Sequence, residues 1–150
     1  DALVDLPVRA LLTIGANTPV EALGEIPPNV HVERFVPQGD VLPHAAAVLC
    51  HGGSGTVLGA LAVGAPMVVA PMFADQPYNA RCVAAAGAGL AMPTGGATPG
   101  DLRAALSRVL GEPSFRTAAQ RFAEEIAALP SVDEAGAEFD RIASTGGAAP

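Results

Sequence analysis

Ala47-Val48-Leu49-Cys50-His51-Gly52-Gly53-Ser54-Gly55-Thr56-Val57-Leu58-Gly59-Ala60-Leu61-Ala62-Val63 runs from a short apolar stretch, through a glycine cluster, into a helical stretch. An apolar run as short as 47–50 reads as a strand buried on both faces. Three glycines let the backbone turn tightly and leave no Cβ between it and a ligand. The helix expected over Thr56–Val63 then offers unpaired N–H groups and the positive end of its dipole, a ready anion site. Ser54 and Thr56 add hydroxyls, and His51 adds a ring donor at the carboxyl end of the strand. Together these groups suit a diphosphate. The same glycines also serve a purely structural strand-to-helix turn, and the turn alone leaves the two readings evenly matched.

What flanks the turn shifts that balance. Met67–Ala70, bracketed by Pro66 and Pro71, reads as the next strand, and Pro71-Met72-Phe73-Ala74-Asp75-Gln76-Pro77-Tyr78-Asn79 follows it on the same carboxyl edge. Asp75 and Gln76 are adjacent hydrogen-bonding groups of the kind that hold sugar hydroxyls. Asp75 also reads as the cap of a helix starting near Pro77, a role compatible with the first. Upstream, Arg9–Ile14 is an apolar run closed by Gly15, and Val30–Val36 alternates with period two before Pro37. Leu90–Met92 is a fifth strand candidate. Helices are expected over Tyr78–Ala86, ending at Gly87, and from Pro99 behind a Thr98 cap, with a stripe through Leu102, Leu106, Val109 and Leu110. Two more follow, over Ser114–Leu129 and from a capping box at Ser131–Glu134 to about Ser144.

Strands alternating with helices predict an α/β fold, a Rossmann-like parallel sheet with flanking helices and right-handed crossovers. One domain is expected over 1–144, with a disordered tail over 145–150. Asp1–Leu6 reads as the end of a helix, so the residues are expected to begin inside a βα unit. The first strand of a doubly wound sheet, usually near its middle, would then be absent. That leaves an exposed sheet position and an expectation of self-association into a homo-oligomer.

Composition bounds the ligand. The formal net charge is −7, and all 8 basic residues are Arg. An acidic chain lacks the basic face that nucleic acid requires, and a P-loop requires a Lys that is not here. Phosphate binding must therefore come from local backbone geometry. The 150 residues include 2 Cys, with no spacing suited to a metal site or a disulfide framework. No apolar run reaches membrane-spanning length and no secretory signal is visible, so the expectation is a cytoplasmic protein without membrane, metal or cofactor.

The stretch HGGSGTVLGALAVGAPMVVAPMFADQPYNARCVAAAGAGL (51–90) resembles the carboxyl-terminal signature of family 1 glycosyltransferases, above all bacterial enzymes that decorate natural products. IPPNVHVERFVPQGDVLPHAAAVL (26–49) is similar to the family's run-up to that signature, so the likeness covers nearly the whole chain. The resemblance implies half of a GT-B fold: the donor-binding domain of an enzyme moving a sugar from a nucleoside diphosphate to a small-molecule acceptor, without a metal. Carried over by position, His51 and the amides of Gly53, Ser54, Gly55 and Thr56 would hold the diphosphate. Phe35 would stack on the base, the Val36 backbone would read its edge, and Gln38 would contact base or ribose. Asp75 and Gln76 would hold the donor sugar. Plant relatives carry a ribose-binding Glu where this chain has Gly59, which favours a thymidine diphosphate (TDP) deoxysugar over a uridine diphosphate (UDP) donor.

The resemblance places the general base and the acceptor pocket in an amino-terminal domain, so the chain by itself is expected to be inactive, with no catalytic residue of its own. His31 and His44 are not candidates for that base, and Cys50 reads as core, since neighbours on a strand point to opposite faces. Two rival readings stand beside the transferase: a non-catalytic partner protein of the same fold, and a nucleotide-sugar epimerase of related architecture. A dehydrogenase is disfavoured because the G-x-G-x-x-G fingerprint does not occur.

Overall fold

The computed structural model describes residues 1–4 and 6–145. Among them are five strands: β1 (Ala10–Thr13), β2 (Val30–Glu33), β3 (Val48–Cys50), β4 (Met67–Val69) and β5 (Gly89–Ala91). Six helices accompany them: α1 (Gln38–Val41, a single turn), α2 (Ser54–Ala62), α3 (Gln76–Ala85), α4 (Pro99–Gly111), α5 (Pro113–Ala127) and α6 (Val132–Thr145). Every strand pairing is parallel. The α/β architecture of parallel strands flanked by helices is the one expected, with strand ends differing by one to three residues. A tail expected from residue 145 onward falls, apart from Thr145 at the end of α6, outside the described residues.

The strands form two ladders, β1–β2 and β3–β4–β5, that share no strand. They differ in burial. Met67, Val68 and Val69 of β4 are completely buried. Met67 and Val69 face a core made with Val57 and Ala60 of α2 and Ala80 and Val83 of α3. Val68 faces the opposite core, with Ala105, Leu106 and Val109 of α4 and Phe115 of α5. This is the period-two alternation of a strand covered on both faces. Burying one such side chain is worth about 1.5–3 kcal/mol. By contrast, β1–β2 contains no buried residue, and Leu11 and Leu12 stand among the exposed large hydrophobics. Leu49 of β3 is exposed as well, so β3 is not the strand buried on both faces that its apolar run suggested: it is the edge of its ladder, with only β4 beside it.

Two expectations change. Asp1–Leu6 is not a helix end: its described residues form turns in which the Val4 N–H donates to the Asp1 carbonyl at 3.2 Å and Leu6 to Leu3 at 3.4 Å. Leu3 and Leu6 pack on the α4 core, so burial rather than helix propensity decides the path of this segment. Helix α2 also starts at Ser54, two residues early, because Gly53 has the extended backbone of an N-cap. Other signals hold as read. Thr98 and Asp101 close a capping box ahead of Pro99, and Gly87 follows α3 with φ +70°. Ser131 accepts from the Glu134 N–H at 3.2 Å while the Glu134 carboxylate accepts from the Ser131 N–H at 2.7 Å.

Side chains fasten the connections that carry no regular structure. The Asn29 amide donates to the carbonyls of Leu3 at 3.0 Å and Val8 at 3.2 Å, tying together the approaches to β1 and β2. The Arg116 guanidinium on α5 donates to Ala46 at 2.6 Å and so anchors the entry to β3. No helix among the described residues is long and apolar enough to cross a membrane.

Two outcomes follow from this packing. A Cβ on Gly89 would lie 2.0 Å from the Met67 carbonyl oxygen. Because that neighbour is ladder backbone, Gly89→Ala should cost on the order of 1–3 kcal/mol or more, read as a lowered midpoint in thermal unfolding. The exposed edges and leucines of β1 and β3 should drive concentration-dependent association. Sedimentation velocity that finds one monomeric species at every concentration would count against this.

Candidate functional site

The site is built where β3 and β4 end. After Cys50 the chain turns at Gly52, whose φ is +91°. A Cβ there would lie 2.6 Å from Val69 Cγ1 and 3.2 Å from the Gln76 carbonyl oxygen. Only glycine combines that left-handed backbone with so close an approach to β4 and the start of α3. The first α-helical bond of α2 runs from Val57 N–H to the Gly53 carbonyl at 3.1 Å. The N–H groups of Ser54, Gly55 and Thr56 consequently have no acceptor within the helix. A Cβ on Gly55 would meet nothing within 4 Å, so the helix end opens outward. Gly53 is different: a Cβ there would lie 2.7 Å from His51 Nε2, so the imidazole folds over the turn at this position.

The second half of the site is the loop from β4 to α3. Ala74 has φ +56°, the only positive φ of a non-glycine residue among the described ones. An alanine held there costs roughly 1–2 kcal/mol, and Gln76 holds it. The Gln76 side chain is buried, and its carbonyl oxygen accepts from the N–H groups of Met72 at 2.9 Å and Phe73 at 3.2 Å. Gln76 therefore shapes the loop that presents Asp75.

Asp75 occupies the cap position of α3, but its side chain makes no cap bond. Its backbone carbonyl accepts from Tyr78 and Asn79, both at 3.0 Å. The carboxylate turns instead toward the glycine turn, where Oδ2 accepts from Ser54 Oγ at 2.9 Å and Asn79 Nδ2 at 3.0 Å. The Ser54 hydroxyl, then the Asn79 amide, hold Asp75 below its ordinary pKa, with a smaller attraction from His51. Asp75 thus stays ionised well into mildly acidic conditions.

The residues expected in the site fall into linked groups. Ser54 and Asp75 are hydrogen-bonded. Gln38, the first residue of α1, donates from Nε2 to Thr56 Oγ1 at 2.9 Å, which links the expected base-side residue to the end of the glycine turn. Phe35 lies in the connection between β2 and α1 with 79% of its surface exposed, and Val36 beside it is half-buried. His31 pairs with Glu33 on the exposed strand β2 at 2.9 Å, and His44 closes the turn Leu42–His44. Burial pushes the Cys50 thiol up from its ordinary value, and its side chain packs on the core beneath α2 and α3. That is the reverse of an activated nucleophile. No group of three or more metal-ligating side chains occurs among the described residues.

Sequence reasoning missed two residues. Asn79 donates to the Gly52 carbonyl at 2.8 Å as well as to Asp75. The available signal was its i,i+4 spacing from Asp75 on a helix. Gly52 was read only as part of a glycine cluster, although its neighbours make it the constrained member.

Residues 1–140 match the family model described as "Erythromycin biosynthesis protein CIII-like, C-terminal domain". The elloramycin glycosyltransferase ElmGT of Streptomyces olivaceus is 46% identical over 109 residues, covering 73% of this chain and 27% of that protein. The 10-deoxymethynolide desosaminyltransferase of Streptomyces venezuelae is 35% identical over 144 residues, 96% of this chain and 34% of its own length. Among solved structures, the glycosyltransferase VinC in complex with DTDP superposes with a TM-score of 0.89 at 36% identity, covering 96% of this chain and 36% of VinC. The calicheamicin glycosyltransferase CalG4 gives 0.87 at 30% identity, covering 98% and 38%. The chain spans about a third of the length of these relatives. It belongs to the EryCIII-like C-terminal domain family, the carboxyl-terminal domain of family 1 glycosyltransferases of natural-product type.

Proposed function

We propose that this chain binds the donor in a glycosyltransferase that moves a deoxysugar from a nucleoside diphosphate, TDP-linked, to a natural-product acceptor. The observation that carries the reading is the 2.9 Å bond from Ser54 to Asp75. It sets a carboxylate, an acceptor for sugar hydroxyls, against a helix end whose free N–H groups suit a diphosphate. A nucleoside diphosphate sugar has those two chemistries side by side. The amides of Gly53, Ser54, Gly55 and Thr56, with His51, hold the diphosphate; Asp75 and the Gln76 amide take the sugar; Phe35, Val36 and Gln38 take the base and ribose. Relatives named as desosaminyl transferases and a neighbour solved with DTDP support this assignment.

In this reading, catalysis by the chain is electrostatic. As the sugar departs, negative charge grows on the nucleoside diphosphate, where fixed amides and the His51 ring already point. Each well-placed donor of this kind is worth about 2.7–4 kcal/mol. The general base and the acceptor pocket belong to a second domain of the complete protein. His51→Ala should lower transfer by roughly 10²-fold in kcat. Gly53→Val should act through the same group by displacing the imidazole, and calorimetry should show weakened TDP binding. Unchanged TDP affinity in the Gly53 variant would remove the turn from the site.

The choice of nucleoside rests on Gly59, one turn along α2 from the Thr56–Gln38 pair. With no carboxylate at this position, nothing there favours the two vicinal hydroxyls of ribose over deoxyribose. The structure adds a packing reason for the glycine, since a Cβ would lie 3.1 Å from Leu42 Cδ1. TDP should therefore compete at least as well as UDP on the wild type, and Gly59→Glu should shift the preference toward UDP once Leu42 gives way. Gly59→Ala is the control for the displacement of Leu42. Clearly tighter UDP binding by the wild type would sink the assignment.

A further inference from the structure

We propose that Asn79 is a positioning residue of the donor site: its carboxamide ties the Gly52 carbonyl of the glycine turn to the Asp75 carboxylate, so that the diphosphate and sugar subsites keep one geometry. The inference rests on the nucleotide-sugar reading above and goes beyond it by giving a role to a residue that touches neither phosphate nor sugar.

The geometry is specific. Asn79 lies on the first turn of α3, half-buried. Nδ2 lies 2.8 Å from the Gly52 carbonyl and 3.0 Å from Asp75 Oδ2, with Ser54 Oγ at 3.4 Å. A carboxamide nitrogen carries two hydrogens, and the two nearest atoms are both acceptors only. They fix the orientation of the amide, because the flipped form would turn its oxygen toward a carbonyl and a carboxylate. One side chain thereby spans two loops that follow different strands. Gly52 closes β3, whereas Asp75 hangs on the β4–α3 loop behind the strained Ala74. The Asp75 carboxylate takes a second bond from Ser54 on the same oxygen, Oδ2, so neither donor occupies Oδ1.

His51 acts on Asp75 from the turn side, with the attractive sign. On α3 itself, the Arg81 guanidinium sits over the Tyr78 ring at 5.9 Å. A carboxylate introduced at position 79 would therefore face Asp75 and a carbonyl oxygen. Two carboxylates so placed share one proton, and the upper of the pair's two titration steps is raised.

The test is calorimetric binding of TDP and TDP-glucose to the full chain, from pH 5 to 8, with thermal unfolding alongside. Asn79→Ala should weaken TDP-glucose about tenfold and TDP by less, because the Asp75 carboxylate loses its fixed direction. Asn79→Asp should bind TDP-glucose poorly at pH 8 and recover toward the wild type as the pH falls, because the introduced carboxyl, once protonated, again donates to Asp75. The ratio of variant to wild type at each pH isolates the change made at position 79. A deficit in Asn79→Asp that is equal at every pH would overturn the proposal, as would wild-type affinities in both variants. Unfolding of both variants below room temperature would likewise overturn it, by making Asn79 a residue of the fold. A wild-type chain that binds neither ligand would instead defeat the nucleotide-sugar reading itself.

Discussion

The approach of the Gly52 backbone to β4 is the constraint on which the rest of the site depends. With φ at +91° and the Val69 side chain only 2.6 Å from where a Cβ would stand, the chain leaves β3 against the neighbouring strand. That contact lets the Asn79 amide reach the Gly52 carbonyl from α3. It also starts α2 at Ser54, so that three unpaired N–H groups open outward just beyond the end of β3. A larger residue at 52 would part the two loops, and the carboxylate of Asp75 would no longer meet the hydroxyl of Ser54.

Such a corner needs a rigid base, and β4 supplies it. Its three residues are sealed between the α2–α3 layer and the α4–α5 layer, which fixes where the loop at its carboxyl end begins. The strain at Ala74 is tolerable for the same reason. Gln76, buried on that base, gathers the N–H groups of Met72 and Phe73 and holds the loop in a form that an alanine would not choose alone. The β1–β2 ladder has no comparable base. Its contribution to the site is made through the segment leading from β2 to Phe35 and to Gln38, which reaches back to Thr56.

The order of strands and helices was legible because short apolar runs closed by Gly or Pro and amphipathic helices leave strong local patterns, although only β4 of the described strands is buried on both faces. The caps at Thr98 and Ser131 were legible because their partners lie three residues away. Asp1–Leu6 misled because a short apolar segment packs equally well as a turn, and Leu3 and Leu6 are placed by a core assembled from distant α4 and α5. The separation into two ladders was not legible as such, since pairing depends on which strands meet edge to edge. Asp75 illustrates the same divide at the site. Its position before a helix predicts a cap bond, yet its carboxylate is taken by Ser54, 21 residues earlier in the chain.

The sequence by itself determined the class of fold, the location of the glycine turn at the carboxyl edge of the sheet, and a family resemblance that the comparisons support. These properties reside in runs of neighbouring residues, where periodicity, glycine placement and helix ends act over a few positions. Only the tertiary structure decided how the parts are joined: Asn79 to Gly52 and Asp75, Gln38 to Thr56, Gln76 to its own loop, and Gly59 to Leu42. Apart from the Gln76 loop, these are contacts between elements brought together by burial of β4 and the helices around it. A hydrogen bond of about 3 Å between distant residues exists only after that burial has set the distance.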